Sequence, residues 1–171
     1  MKERKDAIKA NGEPLTLLGE ELKVGDRAPD ATLIDNNMKP FAISTTRGKV
    51  TIISVVTSLD TSVCDVETRK FNQEAGSLGG NIQILTISMD LPFAQKRWCG
   101  AAGVERVKTL SDYKDASFGL AYGVLIKELR LLARIIFVVD PSGIIRHIQT
   151  VKDNAMEPDY AEVLSAAKKL V

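Results

Sequence analysis

Two cysteines, Cys64 and Cys99, are the residues of this 171-residue chain best suited to chemistry. Cys64 lies just beyond the apolar run Val50 to Val56, in what should be the first turn of a helix. Free backbone N–H groups and the positive end of the helix dipole stabilise an anion at such an address, and the thiolate is the nucleophilic form of a thiol. The leverage is large: a thiol with the ordinary pKa of about 8.5 is about 3% ionised at pH 7, and one with a pKa of about 6 is about 90% ionised. Such a shift needs only about 3 kcal/mol of differential interaction. Position alone leaves a second reading open, in which Cys64 packs as a small buried hydrophobe.

Cys99 falls near the C-terminal end of a second, shorter helix, too far along the chain for a C-x-x-C redox motif. With His147 as the one histidine, a Cys/His zinc site has little support, and neither a metal nor a cofactor is expected. His147 alternates with apolar neighbours in Ile144 to Ile148 and reads as a structural or exposed strand residue; nothing argues for a Cys-His pair with Cys64. Whether the two cysteines bond to each other is open at this level. Closing that loop would constrain the unfolded chain by about 3–4 kcal/mol in the chain-entropy model.

The elements that must hold these residues follow from hydrophobic patterning. Residues 14 to 26 offer two short apolar strips around Gly19, as a small hairpin would, and residues 31 to 43 read as another short strand and turn. Val50 to Val56 is a continuous β-branched run, the signature of a strand buried on both faces. Ser62 to about Leu78 is helical in composition, closed by Gly79-Gly80, with Asp65 and Glu67 suited to a first turn. Ile82 to Met89 alternates like a strand. A short helix from Pro92 ends at Gly100 or Gly103.

Residues 104 to 130 stay ambiguous. Arg134 opens a second buried run, Ile135 to Val139, followed by the turn Asp140-Pro141-Ser142-Gly143 and a hairpin partner, Ile144 to Val151. Pro158 starts a last helix with Tyr160, Val163, Leu164, Ala167 and Leu170 on one stripe, and Lys168 and Lys169 complement its C-terminal dipole. The order βαβα, then ββα, predicts an α/β thioredoxin-type fold: a central mixed β-sheet flanked by helices, with an N-terminal β-hairpin.

Composition narrows the classes further. The chain is 44% hydrophobic and 26% charged, which fits one domain over 1–171 with residues 1–26 as N-terminal extension and hairpin. A chain of this length buries about two thirds of its unfolded surface and needs no metal or disulfide staple. Its 23 Lys and Arg against 22 Asp and Glu give a net charge of +1, and aromatics are 5%, so neither nucleic acid nor an anionic membrane is an expected partner. The charged start leads into no apolar segment and no stretch approaches a membrane span, so a cytoplasmic protein is expected, where a permanent structural disulfide would be unusual.

The run Thr57-Ser58-Leu59-Asp60-Thr61-Ser62-Val63-Cys64 resembles the active-site loop of the peroxiredoxins, whose pattern is Pro, three residues, Thr or Ser, two residues, Cys. The string from Asp90 through Phe93 and Trp98 to Cys99 and Gly100, and the run Leu131-Leu132-Ala133-Arg134, resemble the bacterial thiol peroxidase branch, the atypical two-cysteine type. The resemblance covers nearly the whole chain. It implies an enzyme that reduces hydroperoxides, with Cys64 as peroxidatic and Cys99 as resolving cysteine. Thr61 would hydrogen-bond the Cys64 sulfur and the incoming peroxide, and Arg134 would lie against the thiolate. Attack would yield a sulfenic acid, Cys99 would condense with it to an intrachain disulfide, and thioredoxin would reopen the bridge. Local unwinding is expected, because two Cα atoms must come within about 7 Å to be bridged. The resemblance also implies a homodimer and a preference for alkyl or lipid hydroperoxides.

One position departs from the pattern: the family proline is Thr57 here, which changes both backbone stiffness and local hydrogen bonding. An alternative function follows, a redox sensor or binding protein of the same fold that turns over poorly. A general thiol–disulfide oxidoreductase is weaker, for want of C-x-x-C. From spacing alone Thr61 also serves as a helix N-cap, Arg134 as a solvated charge at a sheet end, and Trp98 and Phe93 as core or interface aromatics.

Overall fold

The computed structural model describes residues 1–171. In chain order it contains β1 (Glu3–Ala10), β2 (Glu13–Leu18), β3 (Thr32–Ile34), β4 (Pro40–Ala42), a 3-10 turn (Ile43–Thr46), β5 (Val50–Val55) and α1 (Ser62–Ala75). There follow β6 (Ile82–Ser88), α2 (Pro92–Ala102), β7 (Lys108–Ser111), α3 (Ser117–Ala121), β8 (Leu125–Ile126), β9 (Ile135–Val139), β10 (Ile145–Thr150) and α4 (Tyr160–Lys168). Seven strands make one mixed sheet in the order β10-β9-β5-β6-β7-β3-β4, and β1, β2 and β8 make a second. Within the large sheet β5, β6 and β7 run parallel, while β9 lies antiparallel to β5. This is the mixed α/β arrangement with flanking helices that the order of elements predicts.

The continuous apolar run of β5 is explained by a sheet covered on both faces. Ile53 and Val55 pack on one side with Ile87, Ile135, Phe137, the small sheet's Leu17 and α3's Phe118. Val50 and Ile52 pack on the other with Phe71 of α1 and Val163 and Leu164 of α4. Each such side chain contributes about 1.5–3 kcal/mol through burial. In α4 the buried Val163, Leu164 and Ala167 are members of the expected stripe, and Asp159 caps the helix by accepting from the Glu162 N–H at 3.1 Å.

Two expectations are corrected. The N-terminal hairpin does not turn at Gly19: residues 3–10 pair with 13–18 around Asn11-Gly12, and both turn residues have positive φ, as a type I′ turn requires. Gly19 instead ends β2 at φ 100°, where a side chain would press on the Leu120 carbonyl oxygen of α3. The helix expected to reach Leu78 stops at Ala75, and Ser77 and Leu78 fold back onto the Glu74 and Ala75 carbonyls in a turn. The ambiguous stretch 104–130 resolves into β7, α3 and β8, so a third parallel strand enters the sheet before β9. The second helix runs past Gly100 and closes at Gly103, whose φ of 67° and N–H bond to the Cys99 carbonyl make a left-handed cap. No helix is long and apolar enough to cross a membrane.

Candidate active site around Cys64

The parallel strand β5 ends at Val55 and the chain loops over residues 57–61 into α1, so the first turn of α1 opens at the carboxyl end of the sheet. Cys64 is the third residue of that helix and is fully buried. Thr61 is the N-cap: its Oγ1 accepts the Cys64 N–H at 3.4 Å and donates its own proton to the Ser58 carbonyl at 2.9 Å. In this state the Thr61 hydroxyl therefore meets the cysteine's backbone and not its sulfur. The loop is tied down by Asp90, which accepts from Ser58 Oγ at 2.6 Å and from the Leu59 N–H at 2.8 Å.

Strand register delivers the cation. Val55 pairs with Ile135, so Arg134, one residue before β9, stands beside the end of β5 where α1 begins. It is 1% exposed, which overturns the solvated-charge alternative. Its Nη2 donates to Cys64 Sγ at 3.2 Å and to the Asn154 carbonyl at 2.8 Å, and its Nε donates to that same carbonyl at 3.2 Å. Its Nη1 is ion-paired with Glu67, which also accepts from Ser54 Oγ at 2.9 Å. Burial works against the Arg134 charge, but the Glu67 carboxylate and the Cys64 sulfur outweigh it and hold the guanidinium charged. Burial pushes the Glu67 carboxyl up, with the Arg134 cation and the Ser54 hydroxyl opposing.

Cys64, Thr61 and Arg134 are thus gathered at one point, while Cys99 is held elsewhere. Both thiols are free. Cys99 Sγ lies 3.4 Å from Thr109 Oγ1 of β7, which donates to Asn36 Oδ1 at 3.0 Å. Its neighbour Trp98 turns the other way: the indole N–H donates to Asp65 at 2.8 Å, and the ring packs on the small cluster of Val56, Leu59 and Cys64. Phe93, by contrast, is largely exposed. His147 sits on β10 with Nε2 3.5 Å from Glu162 Oε1, away from the sulfur and in a structural setting.

Sequence reasoning overlooked Glu67, Ser54, Asn154 and Asp90 as parts of this site. Glu67 carried a signal, because positions 64, 67, 68 and 71 form one helical stripe and all four are buried. An acid on that stripe faces the interior and is not a solvated first-turn charge. Asn154 carried none, since its partner Arg134 is found only once the chain folds.

The Redoxin family matches residues 23–164 of this chain. The chain is 52% identical over 162 residues to a thiol peroxidase of Halalkalibacterium halodurans, covering 95% of this chain and 97% of that one. It is 52% identical over 164 residues to the thiol peroxidase of Bacillus subtilis, covering 96% and 98%. A peroxiredoxin-like protein from Aquifex aeolicus, known from a crystal structure, superposes with a TM-score of 0.91 at 37% identity, over 97% of this chain and 98% of that one.

Proposed function

This chain belongs to the Redoxin family and is a thiol-dependent peroxidase, and from that premise we propose that Cys64 is its peroxidatic cysteine, Cys99 its resolving cysteine, and Arg134 and Thr61 the groups that serve Cys64. The observation that carries the assignment is the bond from Arg134 Nη2 to Cys64 Sγ, made at a helix N-terminus that already favours negative charge. The Cys64 thiolate attacks one peroxide oxygen; the S–O bond forms as the O–O bond breaks, and water or an alcohol leaves after taking a proton. The guanidinium neutralises the reacting anion, and its Nη2 is placed to polarise the O–O bond. Thr61 contributes by capping the helix, and its hydroxyl becomes a donor to the peroxide if it releases the Ser58 carbonyl.

The sulfenic acid then condenses with the Cys99 thiol, forming the S–S bond and expelling water. A dithiol of the thioredoxin type reopens the bridge, its own two thiols becoming a disulfide; thioredoxin itself is the reductant that the family resemblance implies. The same resemblance supports a homodimer, a cytoplasmic setting and residues 1–171 acting as one domain. The sensor alternative drawn from Thr57 is not favoured, because Thr57 bonds into the site, as described below.

The test is a coupled assay with thioredoxin, its reductase and a hydroperoxide. Cys64→Ser should lose turnover entirely. Cys99→Ser should still consume one equivalent of peroxide but stall before thioredoxin. Peroxide-treated native protein should lose two hydrogens in mass with both thiols blocked to alkylation. Full turnover by Cys64→Ser would overturn the assignment.

A further inference from the structure

Thr57 stands where the loop pattern of its family has proline, and its hydroxyl accepts a hydrogen bond from Asn154 Nδ2 at 3.1 Å. Chemistry fixes the orientation of that amide: Asn154 Oδ1 lies 3.0 Å from the Arg134 backbone N–H, which can only donate, so the NH2 group must face Thr57. Asn154 also presents its main-chain carbonyl to Arg134 Nε and Nη2. It therefore holds Arg134 at the backbone and at the guanidinium, while Thr57 holds Asn154 from the opposite side. The segment carrying Asn154 lies between β10 and α4, outside the named strands, and its main chain is anchored on both sides: the Lys152 carbonyl accepts from the Lys9 N–H at 2.7 Å, the Asn154 N–H donates to the Lys9 carbonyl at 2.8 Å, and the Val151 N–H donates to the Arg134 carbonyl at 3.1 Å. With the backbone so placed, what Thr57 fixes is the Asn154 side chain: the bond to Nδ2 sets the rotation of the amide whose Oδ1 receives the Arg134 N–H.

We propose that Thr57 is a positioning residue for peroxide attack: through Asn154 it sets where Arg134 Nη2 stands against the Cys64 sulfur. A proline at 57 would offer no side-chain acceptor; this chain has exchanged a stiff ring for a hydrogen-bonded strut. The inference rests on the reading of Cys64 and Arg134 as the reacting pair.

Thr57→Val removes the acceptor at nearly constant shape, and Thr57→Ser keeps it. Rapid mixing of reduced protein with peroxide in a single turnover resolves attack from disulfide formation, and thioredoxin reduction is read separately. Thr57→Val should slow attack about fivefold, the scale of one hydrogen bond, move the pH profile of attack upward, and leave the two later steps unchanged. Thr57→Ser should stay within about twofold of the native rate. In an Asn154→Ala background Thr57→Val should add nothing further, because the strut then carries no load. Native attack rates in Thr57→Val, failure of serine to restore them, or effects that multiply across the two sites would overturn the inference. Cys64→Ser run alongside separates the two levels: if it is dead while Thr57→Val is native, only the role of Thr57 falls.

Discussion

Arg134 divides its guanidinium between two acidic groups, Nη1 toward Glu67 and Nη2 toward the Cys64 sulfur. A cation at this depth persists only while something neutralises it, because an unpaired buried ion costs several kcal/mol. In the role proposed for Cys64 its sulfur cannot do so through a whole cycle, since it carries no charge once it is a sulfenic acid or half of a disulfide. Glu67 is the constant partner: its ion pair with Nη1, made against the cost of burying the carboxyl, does not depend on the state of the sulfur. Glu67→Ala should therefore destabilise the reduced protein by about 3–5 kcal/mol in denaturant unfolding. Combined with Cys64→Ser, which removes the sulfur that Nη2 contacts, it should cost more than the two single changes added together. Simple additivity would mean that sulfur and carboxylate do not share the cation. At this scale the sequence was half legible. Cys64, Thr61 and Arg134 stand out by type and place, whereas the groups that hold Arg134 come from residues 67 and 154, which only folding brings to it.

If Cys99 resolves Cys64 as proposed, helix α2 is the element that has to move. Trp98 and Cys99 are adjacent on it and face apart, toward Asp65 and Thr109 respectively; joining Cys99 to Cys64 means displacing the indole that now covers the sulfur's cluster. Buried Gln95 ties the first half of the helix to Ser88 Oγ and the Leu110 carbonyl, both at 2.9 Å, while the half that carries Trp98 and Cys99 is only half-buried and is the part able to open. Arg69 of α1 is one of its fastenings, stacking 5.6 Å above the Trp98 ring and reaching the Ala102 carbonyl at 3.4 Å. Arg69→Ala should accelerate disulfide formation about two- to fivefold, the scale of an exposed cation–π contact, without slowing peroxide attack. Trp98 is the sole tryptophan, so its fluorescence reports the step directly: the slow phase should quicken in Arg69→Ala and vanish in Cys99→Ser. An unchanged slow phase would show that Arg69 does not restrain the helix. Element legibility followed apolar continuity. The apolar runs at 50–56 and 135–139 declared themselves, while β7, α3 and β8, at 4, 5 and 2 residues, are too short to show a period and, apart from the pair Leu125-Ile126, carry no such run.

Across the whole molecule, α3 and the small sheet close the face of the large sheet opposite α1 and α4, and Asp112 is the joint between them. It follows β7 directly, and its two carboxylate oxygens accept the N–H groups of Phe118 and Gly119 at 3.1 and 2.8 Å. These are the first-turn donors of a helix whose N-cap, Ala116, has no side-chain acceptor. Burial pushes the Asp112 carboxyl up to about 6, outweighing the two N–H bonds that favour its charge. An unfolded aspartate titrates near 3.9, so the folded state keeps a proton that the unfolded chain releases between about pH 4 and pH 6. The stability this group contributes is complete below about pH 4 and is lost as pH rises through about 6, close to 3 kcal/mol over two units. Asp30 and Asp153 act with the opposite sign. Backbone N–H groups of Ser44 and Ala155 hold them below the usual carboxylate range, so their contribution disappears as pH falls. Asp112→Asn isolates the first effect: its amide turns one acceptor into a donor and costs stability at every pH, but it cannot titrate. Urea unfolding from pH 4 to pH 7 should show the gap between native and variant narrowing by about 3 kcal/mol. A gap that stays constant would mean that Asp112 is ionised in the folded protein throughout, and that the joint under α3 is a carboxylate held by two N–H bonds at every pH in that range.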